Sequence, residues 1–594
     1  MILQSLTRYY EIMAKDGKLP KPGYSPSNVS FALNLSPAGE IISILPLTKT
    51  ENRGKKTVEL PQVKVVPEHV TRSVGISPYF MCDNLSYILG MDRKGTPKRS
   101  LECFDASREL HIKILKGVHS PAAEAVLAFF STWEPQKASL NEAYSEHKEA
   151  LAAGGNMVFT VDGCGFAQDD PLIKKAWEAY KASNAQEIKM QCLVTGKKEP
   201  VAILHPKIKG VNGAQSSGAN LVSFNSTAYE SYGNEKSQGL NSPVSEYAAF
   251  AYGTALNSLL SDREHRINIG GMTIVYWAES PKAVYKSIFG AAINPQDENQ
   301  NKLLDSVMKK IEKGEPAADD VDMKTPFYIF GLSPNAARLS VRFFLKGTFG
   351  SFLGNIKKHY DDLNIDRSPQ DFPYITLYRL LLETVNPNSK DKTASPLMSG
   401  EVMRSILLNI PYPESLQSAV LLRIRAEQDN GDKHIKKITR GRAAILKAYL
   451  LRKKNNQKYK EVLSVSLNEE SDNRAYVLGR LFAALEKTQR DASPDINSTI
   501  KDRYFTSACA TPRNVFPSLF KLYENHIGKI RKSSGGTGTA IYDDKLVCAL
   551  LGKLDVDKDP FPSNLLLNEQ SIFVLGYYHQ VQKFFTPKVK KTNI

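Results

Sequence analysis

The chain has few cysteines and none of the patterns in which cysteine usually holds a metal or a disulfide. Six cysteines are scattered over 594 residues without a C-x-x-C pair. This spacing argues against a structural zinc site and favours a reducing compartment. No apolar run approaches the roughly 18 residues of a membrane span. The first residues have helical apolar spacing and lack a basic n-region, so we expect a soluble, cytoplasmic protein.

Sequence motifs of several enzyme classes are missing as well. Every Gly-Lys pair is followed by Leu, Lys or Ile rather than Ser or Thr, which excludes a P-loop. No histidine precedes an Asp, and neither H-E-x-x-H nor G-x-S-x-G occurs. Acidic pairs such as Asp169-Asp170 lie in polar contexts that are typical of solvated surface. We therefore expect a protein that binds rather than catalyses, with no cofactor and no metal.

Positive charge dominates the sequence and is clustered. The formal net charge is +16, and residues 431–460 contain eleven Lys or Arg and one acid, Asp432. Such a run is often a solvated helix face, but the acids that normally alternate on such faces are missing here. A weaker basic segment spans residues 501–532. Two separate basic tracts suit a long polyanion better than a small anionic metabolite.

Hydrophobic patterns predict an α+β fold. Residues 27–47 alternate apolar and polar positions around Ser36-Pro-Ala-Gly39, which predicts a β-hairpin. Strand and helix patterns follow each other up to about residue 350 without regular βα alternation. Within this part, the polar segment 291–324 is expected to be an exposed excursion. Beyond about residue 370 nearly every pattern has helical spacing.

These patterns predict three domains. Residues 1–370 form a mixed α/β domain, residues 371–470 a helical, basic connecting region, and residues 471–594 a small C-terminal helical bundle. The run from Ser533 to Gly538 is expected to be a flexible loop within that bundle.

A loop of small and amide-bearing residues lies between two predicted strands of the first domain. Small residues let a backbone approach another surface closely, while Asn, Gln and Ser offer the donors and acceptors that base edges require. Lysines beside them can hold phosphates. The alternative is an ordinary surface loop rich in Gly, Ser and Asn. The candidate DNA-binding residues are Lys207, Lys209, Asn212, Gln215, Ser216, Ser217 and Asn220.

The sequence around this loop resembles a known family. The run Cys192-Leu-Val-Thr-Gly196 and the run LHPKIKGVNGAQSSGANLVSFN from Leu204 to Asn225 closely resemble the large-subunit family of the type I-C CRISPR Cascade complex. The opening MILQSLTRYYE, the run DNLSYILG from Asp83 and the run GLSPNAAR from Gly331 to Arg338 resemble it too. The similarity covers nearly the whole chain.

The resemblance implies a division of labour. The large subunit recognises a short protospacer-adjacent motif in duplex DNA and helps to open it. A crRNA held by backbone subunits pairs with the target strand, and a separate helicase-nuclease is recruited to cut. The implied partners are therefore crRNA-bearing Cascade backbone subunits, a small subunit, target double-stranded DNA and the helicase-nuclease, with no membrane.

The resemblance also relates the C-terminal bundle to the small subunit, which many family members make separately by internal translation initiation. Met403 is the last methionine of the chain. A product limited to the bundle would therefore need a non-AUG start, for which Val477 is a candidate.

Two further groups of residues are candidate nucleic-acid contacts. The second-rank candidates, for which surface salt bridging is the alternative, are Arg72, Ser73, Arg93 and Lys94. The candidates for the displaced strand or the heteroduplex backbone are Lys436, Lys437, Arg440, Arg442, Arg452, Lys453 and Lys454. Two other functions stay open: a metal-dependent nuclease with dispersed carboxylates, and a general RNA-binding scaffold.

Overall fold

The structure is a computed structural model that describes residues 1–53, 56–69, 72, 75–93, 97–184, 188–224, 226–230, 238–431, 434–454 and 456–585. Contacts between residues divide the chain into two compact units. Unit 1 consists of residues 1–207 and 222–257, and unit 2 of residues 208–221 and 258–594. Unit 2 therefore takes one short segment from within the sequence of unit 1. The three domains expected from the sequence stay a prediction.

Unit 1 is built on a mixed sheet. Its strands are β1 (Tyr24–Leu35), β2 (Ile41–Pro46), β3 (Thr48–Arg53), β4 (Lys56–Pro67), β5 (Cys82–Asn84), β6 (Asn156–Val161) and β7 (Gly165–Phe166), with a separate hairpin of β8 (Lys189–Gln191) and β9 (Lys198–Pro200). The order is β3-β4-β1-β6-β5, β2 pairs with β1, and β7 pairs with β6. Strands β1 and β6 are parallel. The predicted hairpin around Ser36–Gly39 is confirmed, since Leu33 of β1 pairs with Ile44 of β2.

Helices complete the core of unit 1. They are α1 (Ile2–Lys15), α2 (Leu85–Ile88), α3 (Lys98–Leu115), α4 (Pro121–Thr132), α5 (Glu142–Ala152), α6 (Pro171–Ser183) and α7 (Glu246–Ser261), of which α7 runs past the end of unit 1. Phe129 and Phe130 of α4 are fully buried against Leu33 and Phe159 of the sheet. Aromatic and aliphatic side chains from both layers thus form one core.

Unit 2 contains the second sheet. Its strands are β10 (Lys207–Ile208, at the boundary of the units), β11 (Ala219–Asn220), β12 (Arg266–Ile269), β13 (Met272–Ala278), β14 (Pro326–Asn335) and β15 (Arg338–Thr348), in the order β10-β11-β15-β14-β13-β12. Strands β12 to β15 pair antiparallel, whereas β11 joins β15 in parallel through Asn220 and Arg338. The segment that unit 2 takes from the sequence of unit 1 therefore enters this sheet.

The rest of unit 2 is helical. Its helices are α8 (Val284–Ile293), α9 (Glu298–Glu312), α10 (Phe349–Leu363), α11 (Leu377–Leu382), α12 (Pro396–Leu408), α13 (Glu414–Ala426), α14 (Arg440–Arg452), α15 (Arg474–Ala492), α16 (Ile500–Ala510), α17 (Pro512–Lys532), α18 (Gly536–Leu551) and α19 (Leu567–Phe585). One continuous core runs from Ile274 in the sheet to Phe573 in α19. The predicted α+β class, with a helical C-terminal half, is confirmed.

Two local predictions are wrong. The segment 291–324 is not simply an exposed excursion, because it contains α9, whose Leu304, Val307 and Met308 are buried. This 304, 307, 308 spacing places all three side chains on one helix face. The run from Ser533 to Gly538 is not a flexible loop either. It is a tight turn between α17 and α18, with Gly536 already the first residue of α18.

Helices α15 and α19 cross at two glycines. A Cβ atom at Gly479 would lie 2.0 Å from the carbonyl oxygen of Phe573, and a Cβ at Gly576 would lie 2.1 Å from that of Tyr476. Tyr476 and Phe573 are themselves fully buried. Neither position admits even a methyl group unless the two helices separate, so the bundle depends on glycine at both.

All six cysteines are free thiols. Cys164 in unit 1 and Cys548 in unit 2 are exposed, whereas the other four are buried. In the described part of the chain, no helix combines the length and the apolar character needed to cross a membrane.

Gly576→Ala should destabilise unit 2 by about 1–3 kcal/mol, because the added methyl group overpacks the crossing of α15 and α19. Gly528→Ala is the matched control. Gly528 also lies inside a helix, α17, but a Cβ there meets nothing within 4 Å. The control should leave stability unchanged or raise it by up to about 1 kcal/mol. Thermal and denaturant unfolding measure both variants, and equal midpoints would contradict the close crossing.

Candidate nucleic-acid interface

The predicted DNA-binding loop lies at the edge of the second sheet. Residues 209–218, which we call the amide loop, connect β10 to β11. Some residues of the loop are buried and others face solvent. Val211 and Gly218 are buried, as are the flanking residues Ile208 and Ala219. The exposed candidate residues are Lys209, Asn212, Gln215, Ser216 and Ser217. Five of the seven predicted contact residues therefore face solvent.

Hydrogen bonds hold the amide loop to the strands beneath it. The backbone N–H of Asn212 donates to Oγ1 of Thr273 at 2.9 Å. Thr273 is fully buried, and its hydroxyl donates to Oδ1 of Asn268 at 3.0 Å. Arg266 of β12 donates through Nη1 to the carbonyl of Gly210 at 3.2 Å. The loop thus presents its exposed side chains from a fixed backbone. Sequence analysis missed these supporting residues, and no local signal connects them to the loop.

The two end candidates are placed differently. Lys207 is half-buried in β10, and its carbonyl accepts a hydrogen bond from Nδ2 of Asn257 at 3.0 Å. Asn220 is half-buried in β11, and its N–H donates to the carbonyl of Ala337 at 3.0 Å. Among the described residues, Oδ1 of Asn220 is buried without a hydrogen-bond partner. Such an oxygen can still accept a donor from a ligand.

Most of the basic tract lies inside unit 2. Every residue of α14 from 441 to 450 is buried. The guanidinium of Arg442 forms ion pairs with Glu427 at 2.6 Å and with Glu383 at 3.3 Å. Lys437 is 2% exposed, and its Nζ donates to the carbonyls of Ile424 and Glu427 at 2.8 and 2.7 Å. Burial lowers the pKa of Lys437. These cations are therefore part of the core.

Two further cations of the tract, Arg440 and Arg452, also have partners within the protein. Arg440 donates to the carbonyls of Phe372 and Pro373 at 2.7 and 2.5 Å. Arg452 pairs through Nε with the buried carboxylate of Asp362 at 2.7 Å. A phosphate could bind Arg452 only by leaving the Asp362 carboxylate buried and unpaired, and Arg440 only by giving up its two carbonyl partners. Four predicted backbone contacts are therefore left out of the proposed interface: Lys437, Arg440, Arg442 and Arg452.

Three predicted residues of the tract stay at the surface. Lys436 and Lys454 are exposed. Lys453 is half-buried, and its Nζ lies 3.7 Å from a carboxylate oxygen of Glu414 and 3.2 Å from the hydroxyl of Tyr449. The surface part of the tract is therefore much smaller than the sequence indicates.

Arg72 is held by several contacts within unit 1. Its guanidinium pairs with the fully buried Asp83, donates through Nε to the carbonyl of Ser77 at 2.6 Å, and lies 3.6 and 3.9 Å from the ring centroids of Tyr79 and Tyr87. Burial raises the pKa of the Asp83 carboxyl, and the hydrogen bond from Arg72 opposes that rise. Arg72 therefore neutralises a buried acid within unit 1 and is left out of the interface.

Of the other three second-rank candidates, the structure describes only Arg93. Arg93 is exposed, while Ser73 and Lys94 lie outside the described residues. Over the described ranges, no group of three or more His, Cys, Asp or Glu side chains is arranged to hold a metal ion.

Arg442→Ala should destabilise the protein by about 3–5 kcal/mol, because it leaves the carboxylates of Glu427 and Glu383 without their partner. Lys436→Ala, six positions earlier on the surface, should change stability by less than about 0.5 kcal/mol. Denaturant unfolding of the two purified variants makes the comparison. If both unfold at the wild-type midpoint, Arg442 is not a structural cation.

Comparison with known proteins adds one finding to this geometry. Residues 6–585 match a family model described as CRISPR-associated protein (Cas_Csd1). A search of curated proteins found no match.

Proposed function

The chain belongs to the Cas_Csd1 family of CRISPR-associated proteins, and from this membership we propose that it is the large, non-catalytic subunit of a type I-C Cascade complex. In this role it binds double-stranded DNA, recognises the protospacer-adjacent motif, promotes R-loop formation and recruits a helicase-nuclease in antiviral defence. Its other partners are crRNA-bearing backbone subunits and a small subunit, and its place of action is the cytoplasm.

The observation that carries the proposal is the amide loop. Its exposed residues Asn212, Gln215, Ser216 and Ser217 offer donors and acceptors of the kind that base edges in a groove require. Its buried residues and the hydrogen bond to Thr273 fix the backbone before DNA arrives. A loop that is already ordered loses less conformational entropy on binding than a mobile one. Motif recognition must be fast and must distinguish a few base pairs, and a fixed polar loop suits both needs.

Electrostatics supports a duplex search by the same protein. The net charge is +16, although several cations of the basic tract are buried and paired with acids such as Glu427 and Asp362. Those pairs contribute nothing to the excess. Lys437 and Arg440 donate to carbonyls inside unit 2. A polyanion is attracted by the positive residues that stay at the surface, such as Lys436 and Lys454, and their contacts with phosphates would make binding salt-dependent.

Variants of the amide loop test the proposal. The chain is co-purified with a crRNA as the assembled particle, and binding is measured on a duplex library randomised beside the target. Gln215→Ala and the double variant Ser216→Ala, Ser217→Ala should relax the motif preference, because they remove base-edge contacts worth about 1–3 kcal/mol each. Lys209→Ala should weaken binding to all sequences alike and lower the salt slope by about one.

Asn299→Ala is the control, since Asn299 is an exposed amide of unit 2 outside the loop and outside both basic segments. Wild-type motif preference in every loop variant would contradict the assignment of the loop. Cleavage of DNA by the purified chain with Mg²⁺ or Mn²⁺ alone would favour a nuclease instead. Equal competition by single-stranded RNA would favour a general RNA-binding scaffold.

A small subunit made from the same gene is part of the proposal. A product that starts at Val477 would begin near the first residue of α15 and would keep both glycines of the α15–α19 crossing. We expect a co-purified short product to start at position 477, and mass spectrometry of its N-terminal peptide identifies that start. A product that begins near Met403 would contradict this start.

A further inference from the structure

The turn between β14 and β15 lies beside the amide loop. The N–H of Asn220, at the end of the loop segment, donates to the carbonyl of Ala337 at 3.0 Å, and Asn220 pairs in parallel register with Arg338. On the other side, a Cβ atom at Gly213 would lie 3.4 Å from Cγ of Pro334. The end of the β14–β15 hairpin therefore lies next to the loop segment at two places: Ala337 contacts Asn220 just after the loop, and Pro334 lies beside Gly213 within it. We call residues 209–218 together with 335–338 the loop–turn surface.

The backbone of the turn is unusual. Asn335 pairs with Arg338 across the hairpin, so the turn has only two central residues, Ala336 and Ala337. Ala336 has a φ of 50°. Hairpin turns with a positive φ at this position usually have Gly, Asn or Asp there, since a Cβ atom makes the conformation costly. Strained backbone of this kind is concentrated at binding sites, where the surrounding structure holds it in place.

The turn offers the same chemistry as the loop. Asn335, Ala336 and Ala337 are exposed. The Asn335 side chain carries one acceptor and two donors, which match the edge of an adenine in the major groove. The two alanines beside it add little bulk, so a groove wall can approach the backbone of the turn closely. The amide loop and the neighbouring turn therefore each present an exposed amide side chain from an ordered backbone.

The charge of the hairpin favours an anion. From Pro326 to Thr348 the sequence contains three cations, Arg338, Arg342 and Lys346, and no acid. Arg342 is exposed, and its Nε donates to Oγ of Ser333 at 3.0 Å. That bond holds the guanidinium through Nε, and the two terminal nitrogens carry further N–H donors of the kind that bind phosphate. The amide loop segment from Lys207 to Leu221 likewise has lysines and no acid.

We propose that the turn 335–338 is a second DNA-binding element that contacts the duplex together with the amide loop. Asn335 contacts a base edge and adds to the motif preference, and Arg342 holds a backbone phosphate. The inference rests on the proposed function for the identity of the ligand, duplex DNA. It extends that function to a segment that neither the composition of the loop nor the basic tract indicates.

Binding of the assembled, crRNA-bearing particle to the randomised duplex library tests the turn. Asn335→Ala should lower discrimination at one motif position about tenfold, the effect of losing one good base-edge contact. Asn335→Asp keeps the shape of the side chain and should weaken binding at least as much, because the carboxylate repels DNA. Arg342→Ala should weaken binding about equally for all sequences and lower the salt slope by about one.

Asn299→Ala is the matched control, an exposed amide on α9 of the same unit and outside both basic segments. Its binding should equal that of the wild type, and thermal unfolding of each particle shows that the variants are assembled. If Gln215→Ala relaxes the motif preference while the Asn335 and Arg342 variants bind as wild type, the turn is excluded and the proposed function stands. If no variant of either segment changes binding, both proposals fail. If only the Asn335 and Arg342 variants change DNA binding, the turn is a DNA-binding element and the assignment of the amide loop is wrong.

Discussion

A cation inside a protein needs a negative or carbonyl partner, and the helical core of unit 2 is arranged around this requirement. Arg442 lies between Glu427 and Glu383, and Arg452 pairs with Asp362. These acids come from α10, from the end of α11 and from the residue after α13. Because an unpaired buried charge is very unfavourable, α14 can take its central position only when those segments surround it. The neutralised helix in turn supports α19 and the bundle.

Periodicity explains what the sequence predicts correctly. The hairpin around Ser36–Gly39 and most C-terminal helices follow from patterns that each segment carries by itself. Periodicity alone does not define helix α16, because its start depends on a capping box between Thr499 and Asp502 rather than on a regular apolar stripe. The same patterns predict strands at 191–195, 201–204 and 221–224, and these predictions are wrong, because the chain forms the short strands β8 to β11 at neighbouring positions instead. Their form depends on partners distant in the sequence, such as the parallel neighbour β15.

In the candidate site, too, local sequence patterns predict some features, whereas contacts between residues far apart in the sequence determine others. Composition alone selects the amide loop as a candidate, and five of the seven candidate residues are exposed. Sequence patterns do not reveal that four of the seven candidate cations of the basic tract are occupied inside unit 2, because a search for acids at neighbouring helical positions cannot detect Glu383 or Asp362, which reach α14 from other segments. The turn at Asn335 was noticed only as a family-like run. Its closeness to the loop follows from the pairing of Asn220 with Arg338, which no local pattern reveals.

The distribution of thiols has a practical consequence. Only Cys164 and Cys548 are exposed, and they lie in different units. A maleimide dye should therefore modify these two positions well before the four buried cysteines. The wild-type sequence thus permits a donor and an acceptor fluorophore to be attached without any substitution. Energy transfer between them would report the distance between the two labelled cysteines under any chosen condition, in real time and in single molecules.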